Sequence, residues 1–236
     1  MRLIGEVMGR WLNNLILVIV KELLVEARAK EVVALLFCTT LVISALVGAG
    51  VSSAVLASDT TRKIFPMLVW VVFLLTVTTA CARASESELE SRGFEGLLLA
   101  GVTGAQLYLS KVLVGGALFF INWVVLIAVM GAALDQELKP IFGQLCLIGL
   151  SAALALSALT TLISGIAGTS RMRGVLVPLL TLPLLFPLFF AGVEMTTALA
   201  LNGELSTGSV WPSVILVSGS VFFLVGINTY ELAICD

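Results

Sequence analysis

No histidine occurs among the 236 residues. That removes the commonest metal ligand, the usual haem axial ligand and the default general base near neutral pH. A Ser–His pair and a His-ligated metalloprotease are excluded with it. Cysteine is scarce, and Cys38, Cys81, Cys146 and Cys235 lie far apart with no CxxC pair. They read as small apolar helix residues rather than as a disulfide framework or a metal site. Charged residues make up only 12% of the chain. There is no Walker A sequence, so the chain cannot hydrolyse ATP alone. Asp59, Asp135 and Asp236 sit at the ends of apolar runs or at the terminus, so the facing aspartates of an intramembrane protease are missing. No apolar run carries a row of charges suited to a proton relay or voltage sensor. What these absences leave is a non-catalytic membrane subunit: a permease, a channel or a scaffold.

What the chain does have is apolar length. Hydrophobic residues make up 59% of it, and its mean hydropathy is +1.13. Six long apolar stretches lie at about residues 32–57, 64–82, 107–134, 141–167, 175–193 and 210–230. Crossing a ~30 Å hydrocarbon core takes roughly 20 helical residues. Each stretch is near or above that length, which predicts an all-α polytopic membrane protein with six transmembrane helices. A water-soluble domain of this composition would expose apolar patches that do not stay in solution.

The basic residues give an orientation. Ten of the thirteen Lys and Arg fall before the first stretch (Arg2, Arg10, Lys21, Arg28, Lys30), in the second loop (Arg83, Arg92, Lys111) or in the fourth (Arg171, Arg173). The other side holds Arg62, Lys63 and Lys139. The positive-inside rule then places the N-terminus, and after six spans the C-terminus, in the cytoplasm. The extracytoplasmic loops are short except for residues 194–209. Residues 3–30 do not resemble a secretory signal, because the apolar run Leu15 to Val20 leads into Lys21-Glu22 rather than a small-residue cleavage site. Leu3, Val7, Trp11, Leu15, Val18 and Glu22 recur every three or four residues, with Arg10, Asn13, Asn14, Lys21 and Arg28 largely off that stripe. This predicts an amphipathic helix in the interface plane; the alternative is a disordered or packed tail.

Polar chemistry concentrates in residues 83–111. Glu86, Glu88, Glu90 and Glu95 make the segment acidic, Gly93 interrupts it, and Leu97 to Leu99 follow. The expected layout is a polar continuation of span two, a break at Gly93, a short helix through Leu99, and an end at Gly101 and Gly104. An apolar-faced helix here suits docking in a partner's groove; the alternative is a solvated loop with interfacial leucines. Spans three and four are plain, with Asn122 and a few Ser and Thr as polar residues, and with Gly131 and the Gly165–Gly168 region as helix-packing or helix-end positions. Span five holds Pro178, Pro183 and Pro187, each of which removes a helix hydrogen bond. A bent helix facing protein or a cavity is expected. Glu194 at its outer end can meet substrate or water, or be a plain loop carboxylate. Asn228 in span six is expected to make an interhelical hydrogen bond.

Four stretches carry a family resemblance: VKELLVEARAKEVV (20–33), RKIFPMLVWVVFLLT (62–76), ESELESRGFEGLLLAGVTGAQLYLSKVL (86–113) and RMRGVLVPLLTLPLLFPLFFAG (171–192). In order and spacing the chain resembles the haem exporter B (CcmB) family of the cytochrome c maturation system, six-span permease subunits of the type-2 ABC exporter class. The likeness runs from about residue 16 to the C-terminus. Residues 1–15 look like an extension, and Ser91-Arg92-Gly93 departs from the acidic residue that commonly precedes this glycine.

The resemblance implies an N-terminal elbow helix (1–31) and a six-span permease domain (32–236) with a cytoplasmic coupling loop (83–106). Residues 86–99 would be the coupling helix, with Gly93 at its break, Glu95, Leu97 and Leu98 as docking residues and Arg92 as an ion-pair candidate. The implied partners are a CcmA-like cytoplasmic ATPase that binds the ATP, a CcmC-like haem-handling membrane protein, a CcmE-like periplasmic haem chaperone and the lipid bilayer, with no nucleic acid. Haem is the implied substrate, moved directly or released with the loaded chaperone, and the chain itself is expected to hold no cofactor or metal. Pro178, Pro183, Pro187 and Glu194 become candidates for passing motion to the outer face. The location implied is a bacterial inner membrane. The competing readings are another type-2 exporter permease, for lipid, drug or polysaccharide, and a scaffold without transport.

Overall fold

The computed structural model of the chain describes residues 2–28, 30–54, 58–90, 102–166, 173–205 and 209–235. Every regular element among them is an α-helix: α1 (Arg2–Arg28), α2 (Lys30–Ser53), α3 (Ser58–Glu90), α4 (Gly104–Ala133), α5 (Phe142–Ile166), α6 (Arg173–Asn202) and α7 (Trp211–Cys235). Helices α2 to α7 are each long and apolar enough to cross a membrane. All backbone groups of such a segment must be satisfied internally, which only helices or closed barrels achieve.

Two helix ends show how the chain turns. After α4, Asp135 adopts a left-handed conformation (φ 50°), and the Gln136 N–H donates to the Gly131 carbonyl at 2.9 Å. That is a Schellman closure with aspartate where glycine is usual. After α6, Gly203 (φ 79°) donates to the Leu199 carbonyl at 2.9 Å. Span five therefore does not end near residue 193. The segment from Glu194 to Asn202 is helix, because Met195, Ala198, Leu199, Ala200 and Leu201 favour it and no breaker precedes Gly203. The long outer loop expected at 194–209 shrinks accordingly.

Helix α5 is the hub, packed on α4, α6 and α7, while α3 pairs with α6, and α2 covers α3 and α4. The burial of the spans follows, from 67% for α5 to 11% for α7. Lipid tails are as apolar as leucine, so helices associate here through close packing and buried hydrogen bonds rather than a hydrophobic drive. Both are visible at the centre. The rings of Trp70, Phe73 and Trp123 meet with centroids 4.8–5.9 Å apart. Gly192 of α6 lies beneath Trp70, and Gly149 of α5 beneath Trp123. Each indole N–H finds a partner: Trp70 Nε1 donates to Thr196 Oγ1 at 2.9 Å, and Trp123 Nε1 to the Leu145 carbonyl at 3.1 Å.

A polar clasp ties three spans. The Thr40 hydroxyl of α2 donates to Asn122 Oδ1 of α4 at 2.8 Å, and Asn122 Nδ2 faces Thr76 Oγ1 of α3 at 3.4 Å. All three side chains are buried. About four turns earlier in α4, the Tyr108 hydroxyl lies 3.0 Å from the Ala158 carbonyl of α5 and 3.2 Å from the Phe222 carbonyl of α7. Asn228, by contrast, is exposed on α7 and donates to Leu224 of its own helix at 2.7 Å. Among the described residues the interhelical bond expected of it does not form, because that face of α7 turns away from the bundle.

Helix α1 docks on α4. Leu15, Val18 and Glu22 of its stripe are buried, with Val18 packed among Leu107, Tyr108, Val112, Ala158 and Leu162. Trp11 is partly exposed, and the side chains of Leu3 and Val7 fall outside the described residues. Leu12, Ile16, Leu17, Leu23 and Leu24 are exposed. The stripe is thus the protein-facing one where it is described, and a second apolar surface remains open.

Candidate functional site

The bundle end that carries α1 also carries the end of α3 and the start of α4. Helix α3 runs beyond its apolar part to Glu90, so Glu86, Glu88 and Glu90 lie on a polar extension of span two, as expected. Arg92, Gly93, Glu95, Leu97 and Leu98 lie outside the described residues. Directly after them, α4 opens with a capping box. The Gln106 N–H donates to Thr103 Oγ1 at 3.3 Å, and the Thr103 N–H donates to Gln106 Oε1 at 3.0 Å. Two N–H groups that the first turn would otherwise leave unpaired are satisfied reciprocally. The same Gln106, buried, donates through Nε2 to the Trp11 carbonyl of α1 at 3.0 Å.

Below this end lies a half-open cavity of about 120 Å³ between α1, α2, α3, α4 and α5. Its polar lining includes Glu22 and Glu26 of α1, Lys111 of α4, and Thr160, Thr161 and Ser164 of α5. Glu22 accepts from Lys21 at 2.8 Å and faces Lys111 Nζ at 4.0 Å, with the Glu22 and Lys111 side chains only 11% and 14% exposed. Ionisable groups this deep in an apolar bundle are costly and persist when paired or used. Among the described residues no cluster of His, Cys, Asp and Glu could hold a metal ion.

Along the middle of α6 and toward its far end, Pro183, Pro187, Phe190 and Glu194 fall at helical spacing on one exposed face. Phe186 stacks against Phe190 at 6.2 Å. Pro183 and Pro187 are exposed, and among the described residues neither protein nor a cavity covers them. Pro178 lies on α6 in a stretch whose side chains are outside the described residues. Glu194 lies two turns inside the helix end rather than at it. On α3, Arg62 Nε donates to the Ala200 carbonyl in the last turn of α6, where a cation meets the negative end of the helix dipole.

Sequence reasoning missed Thr103, Gln106 and the Glu22–Lys111 pair. A signal existed for each. Thr-x-x-Gln ahead of an apolar run is a capping box, and an acid interrupting an apolar stripe asks for a buried cation. Which cation it meets is set by tertiary packing alone.

The family model described as "CcmB protein" matches residues 13–228. No curated protein and no solved structure gives a significant match. The chain belongs to the CcmB family, whose members are permease subunits of the ABC transporter for haem export and cytochrome c maturation, and it is a multi-pass membrane protein.

Proposed function

We propose that this CcmB-family chain is the membrane subunit through which a separate ATPase drives haem delivery, or release of the haem-loaded chaperone, at the far side of a bacterial inner membrane. The observation that carries the reading is the family match over residues 13–228, which takes in six spans and the whole acidic segment after span two. In this reading residues 1–31 act as the elbow helix and 32–236 as the permease. Both termini are cytoplasmic, consistent with the bias of Lys and Arg to that side.

The ATPase, CcmA-like, docks on residues 86–99, where Glu95, Leu97 and Leu98 supply the contact, Arg92 an ion pair and Gly93 the turn. The placement makes mechanical sense. A segment between the polar end of α3 and the capped start of α4 can hand displacement to two spans at once. Pro178, Pro183, Pro187 and Glu194 carry the movement outward along α6, toward CcmC-like and CcmE-like partners. The chain binds no cofactor of its own; haem is the substrate and ATP stays on the partner.

Partner capture from detergent-solubilised membranes tests this. Tagged wild type should recover an ATPase together with haem-handling proteins, and the Glu95→Arg, Leu98→Asp double variant should lose the ATPase. Recovery of an ATPase without cytochrome maturation proteins would move the chain to another exporter system. Wild type recovering no ATPase would sink the transporter reading.

A further inference from the structure

We propose that the exposed face of α6 around Glu194 is the docking surface for a membrane helix of a different chain, one that brings a lysine or arginine to the middle of the bilayer. Glu194 lies deep. It belongs to the apolar span Leu179–Asn202, whose middle falls between Phe190 and Ala191, and it is about 5 Å from that point along the axis. Helix α3 gives the same level independently. Trp70 is the middle residue of the span Asp59–Cys81, and it meets Gly192 and Thr196, which bracket Glu194. Glu194 is exposed and, among the described residues, has neither an ion pair nor a hydrogen bond. An acid at that depth is costly against lipid. Its short stem cannot carry the carboxylate out to the headgroups, as the long stems of lysine and arginine can.

The same face holds two more acceptors. Pro183 and Pro187 have no N–H for the carbonyls of Leu179 and Pro183, one turn before each. In hydrocarbon those carbonyls need a donor from elsewhere. Leu179, Pro183, Pro187, Phe190 and Glu194 follow one another at helical spacing and are all exposed. The face thus offers a carboxylate and two backbone carbonyls, and lipid tails have no donor for them. A second copy of this chain fails on charge. None of its spans carries Lys or Arg at its middle, and a two-fold pairing through α6 would set two Glu194 carboxylates at one depth with no cation between them. Arg62 and Lys63, at the start of α3, are held by the Ala200 carbonyl and by Asp59. What complements the face is a foreign helix with a basic side chain level with Glu194, whose charge-assisted bond to the carboxylate is strong in a dry setting. The inference needs only that the six spans lie in a bilayer, so it stands or falls apart from the exporter reading.

Photo-crosslinking in native membranes tests this on the full chain. Phe190→benzoylphenylalanine places the reactive group one turn from Glu194, and Leu216→benzoylphenylalanine on α7, where Leu216 is 63% exposed, serves as the lipid-facing reference. Position 190 should give an adduct with another membrane protein, and position 216 adducts with lipid. Mass spectrometry of the protein adduct should place the link on an apolar helix holding Lys or Arg level with it. Glu194→Gln in the same chain should lower the adduct yield about tenfold, the scale of one charge-assisted hydrogen bond. Glu194→Lys should abolish the adduct, and changing the partner's basic residue to glutamate should restore it. Lipid adducts alone at 190, a second copy of this chain in the adduct, a partner helix without a basic residue, or a yield that Glu194→Gln leaves unchanged would each overturn the proposal. A partner unrelated to haem handling, with the charge dependence intact, would support it while counting against the exporter reading.

Discussion

The indole of Trp70 lies so close over Gly192 that a β-carbon at 192 would sit 2.1 Å from Cζ2. The contact joins α3 to α6, and the indole N–H is fixed nearby on Thr196. Trp70 is fully buried against Phe73 and Trp123, so its ring has nowhere to move. Gly192→Ala should therefore destabilise the protein by about 1–3 kcal/mol, the usual cost of overpacking a full core. Thermal unfolding in detergent measures it. A melting temperature equal to wild type would show that α3 and α6 are not in this contact in solution.

Asn122 offers a cleaner polar test. Asn122→Leu removes its bonds to Thr40 and Thr76 and adds no charge. Hydrogen bonds between membrane helices contribute about 0.6 kcal/mol on average and at most about 1.7. A loss in that range is expected by steric trapping or denaturant titration. Thr40→Val in the Asn122→Leu background should then cost little more, because the partners act as one unit. Full additivity would argue against the clasp.

Gln106→Ala should loosen two things with one substitution. It deletes half of the capping box, worth about 1 kcal/mol, and frees the Trp11 carbonyl. Faster amide hydrogen exchange is expected in the first turn of α4 and in α1 around Trp11, but not in α5. Unchanged exchange in α1 would show that the bond to Trp11 holds nothing.

On α6, Pro183→Ala and Glu194→Ala change an exposed face and leave the bundle interior intact. Glu194→Ala should keep wild-type thermal stability within about 0.5 kcal/mol, as exposed substitutions usually do, while Pro183→Ala gives α6 back a helix hydrogen bond and should not lower it. If this face transmits motion outward, the pair should lower the yield of holocytochrome c, measured by haem staining at equal protein levels. Normal maturation in both variants would remove α6 from the mechanism.

The spans were legible because their signal is local. Twenty apolar residues in a row can be counted, and all six helices lie where hydropathy puts them. Their ends were less so. The fifth span ran on to Asn202 because the eye stops at Glu194, whereas a helix stops at a conformation, here the left-handed Gly203. Trp70 could be seen in the sequence, but its seat on Gly192 could not, since nothing local links positions on α3 and α6. The same holds for Glu22 and Lys111. The stripe on α1 shows in the sequence by its period, but its neighbour does not, because periodicity tells which residues share a face and not what covers that face.

The bond from Gln106 to the Trp11 carbonyl makes the N-terminal helix and the head of α4 one piece, like a door and its handle. If an ATPase pushes on the acidic segment as proposed, displacement of the head of α4 would reach the 27-residue α1 as well, through this bond and the packing of Leu15 and Val18.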